Sequence, residues 1–304
     1  MHSNKKLDLI IVILTYNEEL HIKRCISSAL KLTNNILVVD SYSNDKTVKF
    51  AKQLGVKVLQ NKWKGYADQF NWALSLLKNK YEWVFRLDAD EYLSEDLILE
   101  IHEKLDDLEK GINGIYIKRI INFFGNNIRF GGVGNLSVLR IFRPKYGLLE
   151  DRLMDEHFLV QGQTTQFKGS IIDKNLNSMD WWILKHINYS SLEAIEMLNL
   201  EFNFLNKNNI HSLAGLNLPL RSKKFIKDNI YINIPTGFRS FGYFMFRYVF
   251  LLGFLDGFDF HFFQCLWYRH LVDVKVNQVR KFIKENKATP KKAIETVLNI
   301  KLNS

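Results

Sequence analysis

The sequence has few cysteines and lacks long apolar runs. Its 304 residues include only Cys25 and Cys265, far apart and outside any Cys-x-x-Cys pattern. Such usage argues against a disulfide framework and favours a reducing compartment. No stretch reaches 18 apolar residues, which excludes a classical membrane-spanning helix. The polar start and the short apolar run at residues 9–14 do not match a signal peptide. We therefore expect a cytoplasmic protein.

The composition narrows the class further. Hydrophobic residues make up 47% of the chain, which excludes intrinsic disorder. The net charge of +10 suits nucleic acid, an anionic membrane face or an anionic small substrate. The basic residues do not surround a recognisable nucleic-acid-reading motif, so we expect no nucleic-acid partner.

The first hundred residues alternate between short apolar runs and segments with helical spacing. This alternation is typical of βαβ units and predicts an α/β fold with a parallel sheet. The predicted strands are residues 7–14, 35–39, 56–60 and 83–87, and the predicted helices are residues 18–32, 45–54 and 66–77.

Polar clusters follow three of these strands. They are Thr15-Tyr16-Asn17-Glu18, Asp40-Ser41 and Asp88-Ala89-Asp90. In open α/β sheets, ligands bind outside the carboxyl ends of the strands. The three clusters are therefore expected to meet in one crevice of the nucleotide-binding type.

The Asp88-Ala89-Asp90 tripeptide suggests the chemistry of that crevice. Carboxylates at i and i+2 of an extended chain project to the same side. Hard oxygen ligands of this kind bind Mg²⁺ together with substrate phosphates. The alternative is a solvated acidic turn without a ligand.

The remaining chain divides into an irregular part and a helical part. Residues 111–176 contain three further predicted strands, at residues 114–121, 137–142 and 166–172, among glycine-rich turns. Helical patterns return from Trp181, and the predicted helix is residues 190–205. We expect a catalytic domain over residues 1–215 and a helical, basic and aromatic extension over residues 216–304.

Four motifs resemble one family in order and spacing. Residues 9–18, residues 38–47 and Asp88-Ala89-Asp90-Glu91 resemble the opening of family 2 glycosyltransferases with the GT-A fold. The Asp40-Ser41 pair and residues 65–73 are similar to the lipopolysaccharide core glucosyltransferase branch. The resemblance implies a Rossmann-like nucleotide-binding sheet with a mixed second half.

Residue by residue, the resemblance implies a donor site. Asp40 would hydrogen-bond the base, Asp88 would contact the ribose or a metal-bound water, and Asp90 would ligate Mg²⁺ or Mn²⁺. Tyr16 could instead pack against the first turn, and Asn17 could act only as a cap. The full set of implied substrate-binding residues is Thr15, Tyr16, Asn17, Glu18, Asp40, Gln69 and Asp88.

Transfer of a sugar with inversion also needs a general base for the acceptor hydroxyl. The pair Asp155-Glu156 matches the acidic pair of relatives, and either residue could be the base. Glu150-Asp151 is the rival pair. His157 is interpreted as the partner of a carboxylate, with metal ligation as the alternative.

Two basic pairs could meet anionic groups. Lys185-His186 could neutralise a diphosphate or lie on the surface. Arg140 and Arg143 flank an apolar pair and are expected to point to one side, towards an anionic acceptor or solvent.

The C-terminal part contains an aromatic run at residues 241–255, too short and interrupted to span a bilayer. Basic stretches flank it, at residues 221–227 and 275–292. Aromatic side chains beside cations suit a membrane interface. The alternatives are a buried helical hairpin and a dimer interface.

Together these expectations describe a metal-dependent, inverting hexosyltransferase at the inner face of the cytoplasmic membrane. The donor would be a nucleoside-diphosphate sugar, with a UDP-sugar preferred, and the acceptor a cell-surface glycan or lipid-linked precursor such as lipopolysaccharide or capsule. One alternative is a nucleotidyltransferase acting on sugar phosphates, although residues 15–20 lack its glycine and lysine. A non-catalytic membrane scaffold is the other, against which the intact acidic tripeptide argues.

Overall fold

The structure is a computed structural model that describes residues 7–77, 79–134, 136–149, 158–204 and 238–302. The chain divides into two compact units, Met1–Asn177 and Ser178–Ser304.

The first unit begins with four parallel strands and three helices. Strand β1 pairs with β2 and β4, and β2 pairs with β3. Because β1 is central, it is buried on both faces: Leu9 and Ile11 pack towards α1, and Ile10 and Val12 pack towards α3. These elements are β1 (Leu9–Thr15), α1 (Ile22–Leu30), β2 (Ile36–Asp40), α2 (Thr47–Gln53), β3 (Lys57–Gln60), α3 (Tyr66–Leu77) and β4 (Trp83–Asp88).

The rest of the first unit extends this sheet with strands of both directions. Its elements are β5 (Glu91–Leu93), α4 (Glu95–Lys104), β6 (Ile112–Phe123), β7 (Asn126–Ile128), β8 (Ser137–Phe142), β9 (Gly147–Leu149), β10 (Phe158–Val160) and β11 (Gln163–Lys174). The described strands follow the order β3-β2-β1-β4-β8-β6-β11-β5, with β7 beside β6 and a separate β9–β10 pair. Strand β8 is antiparallel to β4 and β6, whereas β6 and β11 are parallel. The predicted parallel half followed by a mixed half is confirmed.

The second unit is helical in its described part. It contains α5 (Met179–Phe202), α6 (Phe238–Met245), α7 (Asp259–His261), α8 (Tyr268–Asn286) and α9 (Pro290–Leu298). Buried polar contacts join α5 to α8: the Tyr268 hydroxyl donates to Glu193 at 2.9 Å, and Lys275 donates to Ser190 at 2.8 Å. These contacts hold α5 and α8 together within the second unit. The predicted boundary at residue 215 lies outside the described residues and stays a prediction.

The Ser178 side chain accepts a hydrogen bond from the Trp181 N–H and caps α5, so this helix starts earlier than the sequence pattern at residue 190 suggests. Among the described residues, no helix combines the length and apolarity needed to cross a membrane.

Candidate active site

The carboxyl ends of β1, β2 and β3 are joined through one buried carboxylate. Asp40 accepts hydrogen bonds from the Thr15 hydroxyl at 3.2 Å, the Ser43 N–H at 2.9 Å and the Gln60 amide at 3.0 Å. The side chain is fully buried. In the described contacts Asp40 therefore orders the loops, and a direct contact to a base would displace one of these donors. Its base-binding role stays a prediction.

The loop after β1 is fixed by main-chain hydrogen bonds to the loop after β2. The Asn17 N–H donates to the Ser43 hydroxyl at 2.8 Å, and the Glu18 N–H donates to the Thr47 hydroxyl at 2.7 Å. Asn17 has a φ of 56°, a left-handed conformation that asparagine tolerates better than most residues. Its side-chain oxygen accepts the Asn44 N–H at 3.0 Å. Tyr16 is 57% exposed, so its ring does not pack into the first turn.

Gln69 connects α3 to the ends of β2 and β3. Its buried amide donates to the Ser41 hydroxyl at 3.0 Å and to the Asn61 carbonyl at 3.1 Å, and accepts from the Asn61 amide at 2.9 Å. Ser41 stands where many relatives have a second aspartate, and its hydroxyl accepts a hydrogen bond from Gln69. Gln69 thereby holds the segments after β2 and β3 together, and its predicted substrate contact stays a prediction.

Asp88 lies among cations. It accepts hydrogen bonds from Tyr66 at 2.7 Å, Arg86 at 3.2 Å and Arg140 at 3.0 Å. Burial alone would raise the pKa of Asp88, but Arg140 and Arg86 outweigh it and hold that pKa well below its usual range. Asp88 is therefore a permanent anion whose charge is already matched by protein groups.

A second carboxylate in this network is more deeply buried. Glu91 pairs with Arg140 and lies 3.5 Å from Arg119, which also pairs with Asp173. Burial raises the pKa of Glu91 to about 7, against the opposing effect of Arg140. We call the three arginines and three carboxylates of this edge the charge network; its members are Arg86, Asp88, Glu91, Arg119, Arg140 and Asp173.

The expectation that Arg140 and Arg143 share one side is wrong. Arg140 is buried within β8 and reaches Asp88 and Glu91. Arg143 lies beyond the end of β8, pairs with Glu82 and stacks over the Trp83 ring at 4.2 Å. Residues three apart in extended chain lie on opposite faces, which explains the difference.

Asp90 differs from Asp88 in having fewer protein partners. Its side chain is half-buried, and the described contact to its carboxylate comes from the Asn175 amide at 3.2 Å. Its carbonyl is held by Arg24 at 2.8 Å. A hard, partly exposed oxygen ligand of this kind fits Mg²⁺ or Mn²⁺. Within the described ranges no group of three or more His, Cys, Asp or Glu side chains is arranged to hold a metal ion. Asp90 would therefore need ligands from a bound diphosphate.

His21 is a further residue of this edge, one that the sequence pattern does not reveal. Its Nδ1 lies 2.6 Å from a Glu18 carboxylate oxygen, and its Nε2 accepts the Leu176 N–H at 2.8 Å. Because Nε2 is an acceptor, the Nδ1–H tautomer is the form that satisfies both contacts. His21 thereby joins the loop after β1 to the segment beside Asn175 and Asp90. A buried histidine at the start of a helix gives no sequence signal for such a bridge.

The Lys185-His186 pair lies on α5 in the second unit. His186 stacks on Trp182 with ring centroids 3.5 Å apart, and burial lowers the pKa of His186 to about 4. It is therefore neutral near pH 7 and cannot supply positive charge to a diphosphate. Lys185 lies over the Trp181 ring at 4.7 Å.

The proposed general bases lie outside the described residues. This applies to Asp155 and Glu156, to the rival pair Glu150-Asp151, and to His157. The strands on either side, β9 and β10, pair antiparallel with Leu149 opposite Phe158. The roles of these acids stay predictions.

The model of the family described as "Glycosyl transferase family 2" matches residues 10–176, more than half of the chain. This stretch contains the loops after β1 and β2, the charge network and Asp90. The protein belongs to glycosyl transferase family 2. Its predicted family is thus confirmed.

Curated relatives of this family 2 protein carry similar names. An uncharacterized glycosyltransferase of Rickettsia typhi is 46% identical over 97 residues, which is 32% of each chain. The match therefore spans about a third of that relative's length. The lipopolysaccharide core biosynthesis glycosyltransferase LpsC of Rhizobium meliloti is 29% identical over 196 residues, covering 62% of this chain and 71% of that protein.

A solved structure supports the fold of this family 2 protein. The mannosyltransferase PcManGT from Pyrobaculum calidifontis, in complex with GDP-Man and Mn²⁺, superposes with a TM-score of 0.53 at 13% identity, covering 90% of this chain and 88% of that one. At this identity the likeness concerns the fold alone. Together with the strand order, it confirms the GT-A architecture.

Proposed function

We propose that the protein is an inverting glycosyltransferase that moves a single hexose from a nucleoside-diphosphate sugar to an acceptor hydroxyl. The observation that carries this proposal is the arrangement at the carboxyl edge of the sheet. There the ordered loops after β1 and β2 lie on the same edge as Asp90, whose carboxylate is partly exposed. Membership of family 2 supports the same reaction class.

The donor we propose is a UDP-sugar, on the strength of the resemblance to the lipopolysaccharide core branch. The structurally similar mannosyltransferase was solved with GDP-Man, so guanosine donors belong in any test. The base and ribose pocket would be lined by Thr15, Tyr16, Asn17 and Glu18. Asp40 and Gln69 would hold the neighbouring loops in place through their hydrogen bonds.

A divalent metal is part of the proposal because the charge network offers the diphosphate little free positive charge. Its three arginines are already paired with Asp88, Glu91 and Asp173. Asp90 would hold Mg²⁺ or Mn²⁺, and the bound metal would neutralise charge that develops on the leaving diphosphate.

The acceptor we propose is a cell-surface glycan or a lipid-linked precursor, such as a lipopolysaccharide or capsule intermediate. The relative LpsC carries a lipopolysaccharide core biosynthesis name, which favours this choice. Asp155 or Glu156 would take the proton of the acceptor hydroxyl as it attacks. The protein would act at the inner face of the cytoplasmic membrane.

The test is release of nucleoside diphosphate from a panel of UDP-, GDP- and ADP-sugars, with Mn²⁺ or Mg²⁺ and then with a chelator. We expect release from one donor class, dependent on metal. Asp90→Asn should lower the rate about 10³-fold, since a metal's stabilisation of the transition state amounts to several kcal/mol. The control is Asp96→Asn, the same change at an exposed position on α4, which should leave the rate within twofold.

A transferase that needs its acceptor would release nothing, so donor binding by calorimetry in the presence of metal is the deciding measurement. Binding of one nucleotide sugar, weakened in Asp90→Asn, would support the proposal. Absence of binding across the whole panel would overturn it and favour a scaffold role.

A further inference from the structure

Residues 246–258, which we call the apolar cap, present large apolar side chains to solvent. Phe250 is 74% exposed and Leu255 is 56% exposed. Monomeric soluble proteins seldom expose contiguous apolar surface without a binding role. The most exposed large side chains of the cap are Phe246, Phe250, Leu252, Phe254, Leu255 and Phe258.

The two charged side chains of the apolar cap are turned towards the protein. Arg247 donates to the Tyr243 hydroxyl at 2.8 Å. The Asp256 side chain is 4% exposed and lies 3.9 Å from the buried His261 ring. The solvent-facing part of the cap is thus apolar, because its ionisable groups are directed inward.

The backbone of the apolar cap is built to present these side chains. A π-helical turn over Phe246–Phe250 and a 3₁₀ turn over Gly253–Asp256 flank Leu252, which has a φ of 57°. A leucine in this left-handed region costs about 1 kcal/mol relative to the right-handed one. At Gly253 an added Cβ would lie 2.7 Å from the Arg247 carbonyl and 2.8 Å from the His261 ring. The tight turn therefore requires glycine at position 253 and keeps the residue before it, Leu252, in a strained conformation.

The described part of the second unit, to which the apolar cap belongs, is basic in sequence. Residues 238–302 contain eleven Lys and Arg against five Asp and Glu. Lys281 on α8 is 74% exposed, and Lys284 and Lys292 are exposed as well. Cations of this kind favour an anionic lipid surface, with each contributing about 1 kcal/mol near the headgroups.

We propose that the apolar cap inserts into the headgroup region of an anionic bilayer, with the positive charge of the second unit attracted to the lipid phosphates. This proposal names the surface that would bind the membrane given in the proposed function. It rests on that function, because the lipid-linked acceptor is what places the enzyme at a membrane. A second copy of the chain is the less suitable occupant for two reasons. Protein interfaces carry about one hydrogen bond per 100–200 Å², which a surface with its polar groups turned inward does not offer. Two copies with a charge of +10 would also repel each other.

The test is flotation of the full-length protein with vesicles of phosphatidylethanolamine and phosphatidylglycerol, and with vesicles of phosphatidylcholine alone. We expect binding to the anionic vesicles at least tenfold stronger than to the neutral ones. The double variant Phe250→Ser/Phe254→Ser should bind the anionic vesicles at least tenfold more weakly, because it removes two phenyl groups from the inserted surface. Leu99→Ser, at a 53% exposed leucine on α4, is the matched control and should bind like the parent.

Two results would overturn this proposal. One is equal vesicle binding by the parent and the double variant. The other is self-association of the parent without lipid, seen by sedimentation and lost in the double variant, which would make a second copy the occupant. Circular dichroism of the double variant checks folding, and both serines replace exposed side chains.

A failure of the membrane proposal can be distinguished from a failure of the proposed transferase function. Nucleotide-sugar binding is measured without lipid, and the cap lies in the second unit, outside the family 2 match. Vesicle binding without donor binding would contradict the transferase proposal and support the membrane surface. Donor binding without vesicle binding would support the transferase proposal and contradict the membrane surface.

Discussion

Two regions of the molecule place side chains against their usual preference, in opposite directions. At the charge network, arginines and carboxylates that normally lie in water are buried: Arg140 is 2% exposed and Glu91 is fully buried. At the apolar cap, phenylalanines and leucines that normally lie inside are exposed to water.

The charge network and the apolar cap differ in whether the chain itself supplies contacts for their unusual side chains. Most charges in the network meet an opposite charge on another strand: Asp88 on β4 and Glu91 on β5 both pair with Arg140 on β8. In the apolar cap the two charged side chains are turned towards the protein, whereas the large apolar side chains are exposed. A region with internal partners holds a fixed geometry, whereas a region without them is suited to an external partner.

The largest effect is expected from breaking the charge network at its centre. Arg140→Met would leave Asp88 and Glu91 without their shared cation in a buried site. Removing one member of such a pair costs about 3–5 kcal/mol, which urea denaturation would measure as a lower free energy of unfolding. Lys31→Met is the control, because its partner Glu95 is 72% exposed and such a pair contributes at most about 1 kcal/mol. Equal losses in both variants would contradict the buried character of the network.

A smaller effect is expected from the titration of Glu91. Its pKa is raised from 4.5 to about 7 by burial. Between these values the folded state binds more protons than the unfolded state, so the free energy of unfolding falls as pH rises. Glu91→Gln, which stays neutral, should remove about 2 kcal/mol of the fall between pH 5 and pH 7. Denaturation of both proteins at the two pH values measures this, and parallel pH profiles would show that Glu91 does not titrate there.

The smallest effect concerns the apolar cap. Leu252→Gly relieves the left-handed strain but makes the unfolded chain more flexible, so the free energy of unfolding should rise by only about 0.5 kcal/mol. Vesicle binding should fall in the same variant, because an exposed leucine is lost. A clear loss of stability would instead mean that the Leu252 side chain supports the fold.

Much of the fold could be predicted from local pattern. The α3 prediction at residues 66–77 and the β8 prediction at residues 137–142 match the structure, because each has a clear period and clear ends. The polar clusters after β1, β2 and β4 lie on one edge of the sheet because those strands are parallel neighbours.

The rest depends on pairings between distant residues. Arg140 meets Asp88 only because β8 lies beside β4, a neighbourhood that strand spacing does not reveal. The sequence does not reveal the start of α5, because the apolar side chains of Met179–Tyr189 lie all round the helix rather than along one face. The sequence of the aromatic run at residues 241–255 is equally compatible with a buried helical hairpin. The exposure of its side chains in the structure argues against that alternative.

His21 gives the candidate site a property beyond its shape. Its ring contacts both Glu18 and the main chain at Leu176. A ligand that orders the loop after β1 would therefore also order the segment beside Asp90. Thermodynamic linkage is reciprocal: by whatever factor a bound nucleotide improved the affinity for a cation beside Asp90, the cation would improve the affinity for the nucleotide. A single imidazole would thus make the two ligands cooperative, although neither of them needs to touch it.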